Sequence, residues 1–423
     1  MPDRPLRIGY VNQDFPPEVG AGPARILEMA QHWQRAGAEV TVITGMPNRR
    51  LPKLADGAIH PAYRGKLFLR EDVEGVRVLR SWLYSSPNRS FKHTLLNNAS
   101  FMVSSTLHAL SRAGRFDVLI ASSPPFLAHL TGEAVRRARR APLVLEIRDL
   151  WPDYMVEMGV LKSRAAQRLL FGIERYLLRR ASHAVVVTES FRQRVAQKGM
   201  PADAISVISN GVDLERYYRE PVPEPPVPAL RRRPGEFLVG YLGNFGAGQE
   251  LRTVVEAAAH LQERAPEVRF VLAGDGKEKP RVEARAAELR LGNLSIHPPI
   301  EKDETRAFYN ACDLCLVPLA PIPIFQETVP SKIFEVMACE RPLVAGVAGE
   351  AARIVEASQG GVVSAPGDAQ ALAAAIERLR HLAPPERATM GRRARAYVAT
   401  HYSRPALAAR YLQLLERLSV GAS

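Results

Sequence analysis

The stretch FLVGYLGNFGAGQELRTVVEAAAHLQERAPEVRFVLAG, Phe237 to Gly274, decides the fold. Two apolar runs, FLVGYL and VRFVLAG, enclose a segment in which Leu251, Val254, Val255, Ala258 and Leu261 recur at helical spacing. The runs are apolar almost throughout rather than alternating, as expected of strands covered on both faces. A helix joining two such strands is a crossover, so the strands pair in parallel. Gly243, Gly246 and Gly248 fall in the strand-to-helix turn, where bare backbone lets a ligand come close.

Outward from this unit the pattern repeats in two sets. The second set continues with LSIHPP (Leu294–Pro299), DLCLVPL (Asp313–Leu319), PLVAG (Pro342–Gly346) and GVVSA (Gly361–Ala365). The first comprises LRIGYV (Leu6–Val11), VTVIT (Val40–Thr44), VRVLRSW (Val76–Trp82), DVLIAS (Asp117–Ser122), LVLEI (Leu143–Ile147), AVVVT (Ala184–Thr188) and ISVI (Ile205–Ile208). Its opening helix carries Ile26, Leu27, Ala30 and Trp33 on one stripe. The expectation is an α/β protein with two Rossmann-like parallel-sheet domains facing a cleft, ligands binding outside the carboxyl ends of the strands. The first domain would span 1–212 and the second 237–397. Between them, 213–236 contains the proline-dense REPVPEPPVPALRRRPGE, which can continue neither helix nor central strand and reads as a semi-rigid linker. A last helix, about 398–423, has an apolar stripe of Leu407, Tyr411, Leu414, Leu415 and Leu418, and is expected to pack back on the first domain.

The 423-residue chain, 46% hydrophobic and 24% charged, has ordinary globular composition. Its three cysteines are too few for a disulfide framework, and Cys312-x-x-Cys315 lacks the second pair of a zinc site, so half-buried thiols are expected. Neither a leader-like start nor an apolar run of about 18 residues stands out, which suggests a cytoplasmic protein. The net charge of +13 suits an anionic partner, with basic density at Arg136–Arg140, Arg175–Arg180 and Arg231–Arg233. Apart from Tyr176, aromatic residues do not interleave with these runs, so nucleic acid is not the expected partner.

Gly20 and Gly22 sit between the first strand and its helix, whose N-terminus favours anions. The third glycine of the dinucleotide fingerprint is missing, which argues against a standard NAD site. A third glycine turn, LAGDGKEKP, brings Lys277 and Lys279. In FQETVPSKIFEVMACERPLVAG (Phe325–Gly346), Ser331 is the expected helix N-cap, Ile333, Phe334 and Met337 face the sheet, and Lys332 and Glu335 share the other side. A carboxylate accepts both O–H donors of a vicinal diol, and an ammonium with free helix amides holds a phosphate. The plainer alternative is a Lys332–Glu335 surface pair worth under about 1 kcal/mol.

Glu327-x7-Glu335 in this context resembles the E-x7-E signature of retaining GT-B glycosyltransferases of family four. DFPPEVGAGPARI is similar to that family's N-terminal glycine loop, VISNGVDLERY to its hinge, and YLGNFG to the opening of its donor domain. LEIRDLWPDYMVEMGVLK and SSPPFLAH resemble a branch that transfers amino or deoxy sugars in bacterial surface-polysaccharide assembly. The resemblance runs from about residue 6 to 415. It implies that Glu335 holds the nucleotide ribose and Glu327 the donor sugar. Lys332, Ser331, Gly243, Asn244 and Lys277 would take the diphosphate, and backbone at Pro299 and Ile300 the base. Gly20 and Gly22 would approach phosphate or acceptor, and Asp149, beside Arg148 as its expected ion-pair partner, would orient donor or acceptor. Asp149, Glu327 and Lys332 would thus be the catalytic set. Two departures stand out: GNFGAGQELRTV lacks the basic pair of many relatives, and Arg148-Asp149 replaces the usual His-Asp. No aspartates lie at D-x-D spacing, so no metal and no cofactor are expected. The implied partners are a nucleotide-diphosphate sugar, with UDP as the expected carrier, and a saccharide or polyprenyl-diphosphate-linked acceptor, at a peripheral site on an anionic membrane. A nucleotide-sugar 2-epimerase of the same fold is the alternative.

Overall fold

The computed structural model describes residues 4–49, 51, 57–86 and 90–420. The chain forms two compact units, Met1–Asn210 with Pro405–Ser423, and Gly211–Arg404. In the first, β1 (Arg7–Val11), β2 (Glu39–Gly45), β3 (Phe68–Val73), β4 (Val76–Ser81), β5 (Val118–Ser123), β6 (Leu143–Ile147), β7 (His183–Val186) and β8 (Ile205–Val207) make one sheet. Its order is β3-β4-β2-β1-β5-β6-β7-β8. The strand order reverses between β1 and β5, both parallel to one another, and the Gly20 loop leaves β1 at that switch point. The helices are α1 (Ala21–Arg35), α2 (Phe91–Arg112), α3 (Ala128–Arg139), α4 (Trp151–Glu157), α5 (Arg164–Arg180) and α6 (Glu189–Gln197).

The second unit has β9 (Phe237–Leu242), β10 (Val268–Ala273), β11 (Leu294–His297), β12 (Leu314–Pro318), β13 (Leu343–Gly346) and β14 (Gly361–Ser364), ordered β11-β10-β9-β12-β13-β14. All its pairings are parallel, and the order reverses between β9 and β12. Its helices are α7 (Leu251–Gln262), α8 (Lys279–Glu288), α9 (Thr305–Ala311), α10 (Ser331–Ala338), α11 (Gly349–Ser358), α12 (Ala369–His381) and α13 (Pro384–His401). One face of this sheet is covered by α7 and α12 around Val239, Tyr241 and Val254. The other is covered by α9, α10 and α13 around Phe308, Ile333 and Met337. The doubly wound pair of sheets expected from the alternation is what the chain builds.

Four features depart from the sequence reading. The antiparallel edge strand β3 was not expected, because LREDV is half charged and an edge strand needs only one protected face. The segment 213–236 is no free linker: Tyr217, Val227 and Leu230 are buried in the second unit's core, and Asn310 Nδ2 donates to Tyr218 O at 2.8 Å. Proline forbids helix and central strand but not burial, so an extended chain can still dock its apolar side chains. The single last helix is two. After α13 the chain breaks at Tyr402, and α14 (Arg404–Val420) joins the first unit, where Trp33 Nε1 donates to Ala408 O at 3.0 Å. Residues 421–423 of the expected helix lie outside the described residues. Cys312 and Cys315 are fully buried free thiols rather than half-buried ones, and Cys339 is buried as well.

Candidate functional site

In the second unit the glycine turn after β9 meets the start of α10. Gly243 has φ 149°, a conformation that favours glycine, and a Cβ there would stand 2.7 Å from Lys332 Nζ and push the ammonium aside. Lys332 Nζ lies 4.2 Å from the Tyr241 ring centroid and donates to Gln249 Oε1 at 3.1 Å. Tyr241 Oη donates to Asn244 O at 2.7 Å and sits 3.4 Å from the same Gln249 oxygen. The aromatic face and an amide oxygen thus fix the charge without cancelling it. Burial pushes the lysine down to about 8, with Glu335 pulling partly the other way.

Glu335, on the next turn of α10, accepts from Tyr309 Oη at 3.0 Å. Burial raises its pKa, against the Tyr309 hydrogen bond and the charges of Arg404, Lys332 and Lys302. Lys332 and Glu335 therefore point to different partners and are not the surface pair of the plainer reading. Glu327 ends the turn Pro323–Gln326 just before α10, as the non-helical approach required. Ser331 is the first helical residue, not the N-cap. Pro330 occupies that position with φ −62° and ψ 128°, and no side chain caps the helix, which leaves its first amides unclaimed by a side-chain cap. Ile333, Phe334 and Met337 are buried against the sheet as the helical spacing implied. Lys279 is occupied with Gly274 O at 3.1 Å and His297 O at 3.2 Å, while Lys277 is exposed on the same turn. Ile300, in the loop after β11, packs partly against the core that holds Ile333, and Pro299 beside it is exposed.

In the first unit, Gly20 caps α1 with φ 155° and ψ 168°. At Gly22 a Cβ would lie 2.5 Å from Arg148 Nη1, so the glycine admits that guanidinium against the first turn of α1. Arg148 is not hydrogen-bonded to Asp149. Its Nε donates to Ser122 Oγ at 3.0 Å and stands 3.9 Å from Glu146 Oε2, and its Nη2 donates to Pro124 O at 3.4 Å. The sequence reading missed Glu146, which is 0% exposed at the end of β6. It pairs with Arg25 of α1 at 3.2 Å and accepts from Tyr10 Oη at 2.5 Å and Ser122 Oγ at 2.6 Å. Burial raises its pKa, but the two arginines and two hydroxyls outweigh that and hold the carboxylate below its usual range. Arg25 also donates to Ile208 O and Ser209 O, so this one guanidinium ties the glycine-loop helix both to β6 and to the segment after β8. A charge inside the otherwise apolar LVLEI was the signal.

Asp149 borders a small, mostly apolar pocket lined by Leu145, Ile147, Leu177, His129 and Trp151, with Phe126 stacked on Trp151. The surrounding protein drives its carboxyl up to about 6, partly offset by Arg148. More than a third of Asp149 is open to water, which moderates that push. Glu18, in the loop before Gly20, is likewise pushed up to about 8 by burial and then by the Asp14 charge, against hydrogen bonds from the Asn48, Arg49 and Phe15 amides.

Comparison with known proteins agrees with this division. Residues 20–211 match the glycosyl transferase 4-like domain, and residues 236–381 match glycosyl transferases group 1. The probable glycosyltransferase WbjE of Pseudomonas aeruginosa is 27% identical over 275 residues, 64% of this chain and 68% of that protein. The putative colanic acid biosynthesis glycosyl transferase WcaI of Escherichia coli is 26% identical over 341 residues, 79% of this chain and 81% of that protein. Among solved structures, sucrose-phosphate synthase from Thermosynechococcus elongatus superposes with a TM-score of 0.75 at 21% identity, covering 99% of this chain and 100% of that one. Anabaena HepE, solved with UDP and glucose, gives 0.70 at 20% identity over 97% of this chain and 100% of that one.

Proposed function

The chain is a two-domain GT-B glycosyltransferase, and on that premise we propose that it transfers a sugar from a UDP-linked donor, with retention of anomeric configuration, to a saccharide or polyprenyl-diphosphate-linked acceptor in cell-surface polysaccharide synthesis. The observation that carries the donor side is Lys332. Its ammonium is partly buried, held by an amide oxygen and an aromatic face, and paired with no carboxylate among the described residues, beside the uncapped start of α10. Such a site favours an anion that supplies the missing counter-charge. The diphosphate of a sugar nucleotide is that anion, and its negative charge grows as the glycosidic bond breaks. Lys332 and the α10 amides then stabilise the departing diphosphate.

Glu335 would accept the ribose hydroxyls and Glu327 those of the donor sugar, Asn244 and Ser331 would support the phosphates, and Ile300 would lie against the base. Asp149, with its raised pKa, would orient an acceptor or donor hydroxyl beside Arg148. Gly20 and Gly22 would let phosphate or acceptor come close to the start of α1, Gly22 beside the Arg148 guanidinium. We take the leaving-group charge to be met by these groups without a divalent ion, since the sequence has no D-x-D. The colanic-acid relatives support a surface polysaccharide, and the binding of UDP by HepE supports UDP as the carrier. An N-acetylamino or deoxy sugar is the preferred cargo. Both matched domains are those of transferases, as is WbjE by its name, which favours transfer over epimerisation.

The test is a panel of sugar nucleotides with and without lipid-linked or free saccharide acceptors, read by nucleoside-diphosphate release. Release that depends on acceptor, with the anomeric configuration of the product determined by NMR, is the expected outcome. Isomerisation of the sugar without acceptor, or no response to any donor, would overturn the reading.

A further inference from the structure

The helix α2 is built inside out. Asn97, Asn98, Ser104, Ser105 and His108 are buried beneath it, whereas Leu95, Leu96, Val103 and Leu107 face solvent, Val103 at 54% and Leu107 at 58% exposure. The buried side is bonded: Asn97 Nδ2 donates to Tyr84 O at 2.6 Å, Ser105 Oγ meets Thr131 Oγ1 at 3.0 Å, and Ser81 Oγ meets His108 Nδ1 at 3.2 Å. Leu96, Val103 and Leu107 recur at helical spacing along a single stripe, with Leu95 at its edge. From Phe91 to Arg112 the helix contains no carboxylate. Within the hydrophobic stretch SFMVSSTLHAL (Ser100–Leu110), Phe101 belongs to the core and Leu107 does not.

The neighbours extend this surface. Helix α3 packs between α2 and α5. A Cβ on its Gly132 would meet Ala121 and Leu143, which alternate with Ile120 and Val144 of the core beneath α1. The layer α2–α3–α5 thus covers the sheet face opposite α1 and α14. Its carboxylates, Glu133 and Glu174, are buried and bonded to Arg136 and Tyr176, and to Lys198. Exposed on the same layer are Arg137, Arg168, Arg175, Arg179 and Leu169, the last at 64%.

We infer that this helix layer docks the protein on an anionic lipid surface, with the α2 stripe seated at the headgroup–acyl boundary and the arginines on the phosphates. An exposed apolar stripe flanked by arginines, on a layer whose own carboxylates are buried, is the pattern of an interfacial helix layer. Charge decides against a second copy, because an isologous contact would set the arginines of one chain against those of the next. The inference rests on the proposed membrane-borne acceptor for its purpose, but not for its observations.

Co-sedimentation of the full chain with vesicles of phosphatidylcholine, alone or with about a third phosphatidylglycerol, tests it. The wild type should pellet with the anionic vesicles and lose binding as salt rises. Val103→Asn with Leu107→Asn should bind about tenfold more weakly, and Arg137→Glu with Arg168→Glu should bind about tenfold more weakly with a shallower salt dependence. UDP binding by calorimetry and the first unit's thermal denaturation midpoint should be unchanged in both, which shows that they fold. Equal pelleting of wild type and variants would overturn the inference. So would a concentration-dependent dimer dissociated by the asparagine variant, without vesicle binding. UDP binding without vesicle binding would sink the docking face and leave the transferase reading intact. Vesicle binding without UDP binding would do the reverse.

Discussion

Lys332 should give the protein two opposite pH dependences. Burial lowers its pKa from 10.5 to about 8. Between those values the unfolded chain binds more protons at this position than the folded one, so folding stability rises with pH across that window. The strain of holding the ammonium is fully present below about pH 8 and relieved towards 10.5. At about 1.4 kcal/mol per pKa unit it amounts to about 3 kcal/mol at most. Diphosphate binding runs the other way, because the ligand needs the proton that the empty site tends to lose. If the bound lysine titrates above 10, UDP should bind roughly tenfold more weakly at about pH 9.5 than at pH 8.

The assay pairs thermal denaturation of the free protein with calorimetric titration of UDP over the same pH series. Lys332→Met is the control, since it removes the titrating group and keeps the bulk over Tyr241. It should cancel the excess stability slope between pH 8 and 10 and weaken UDP at pH 7.5 by roughly ten- to a hundredfold, the worth of a charge-assisted contact. Gln249→Leu, which takes away the amide oxygen at 3.1 Å, should lower the lysine pKa further and move the loss of UDP affinity to lower pH. If wild type and Lys332→Met show the same stability slope and the same UDP profile, the buried-cation reasoning fails.

Glu335→Ala should weaken UDP by at least about tenfold, whereas Glu327→Ala should leave UDP affinity near wild type and cut transfer by about a hundredfold; calorimetry and initial rates separate the two. Glu146→Ala leaves Arg25 buried without its carboxylate and should cost about 3–5 kcal/mol of stability in the first unit, seen as a lower denaturation midpoint. Replacing both, Arg25→Met with Glu146→Leu, should restore much of that loss. Leu230→Ala should destabilise the second unit by about 2–5 kcal/mol and open 213–236 to protease, a response a free linker would not give.

The repeated strands, the helices between them and the two glycine turns were legible in the residues, because burial on both faces writes itself as continuous apolar runs. Strand ends agreed to within two residues over most of both sheets. Glu327, Lys332 and Glu335 were legible too, since charges inside an apolar segment are conspicuous and helical spacing is local. Linear order did not say what those charges touch. Gln249 reaches Lys332 across 83 positions and Arg25 reaches Glu146 across 121, and a hydrogen bond carries no periodicity along the chain. Nor did the proline-rich segment or α2 declare themselves. In the first, apolar side chains dock without regular structure. In the second, only the packed sheet decided that its asparagines and serines go in and its leucines out.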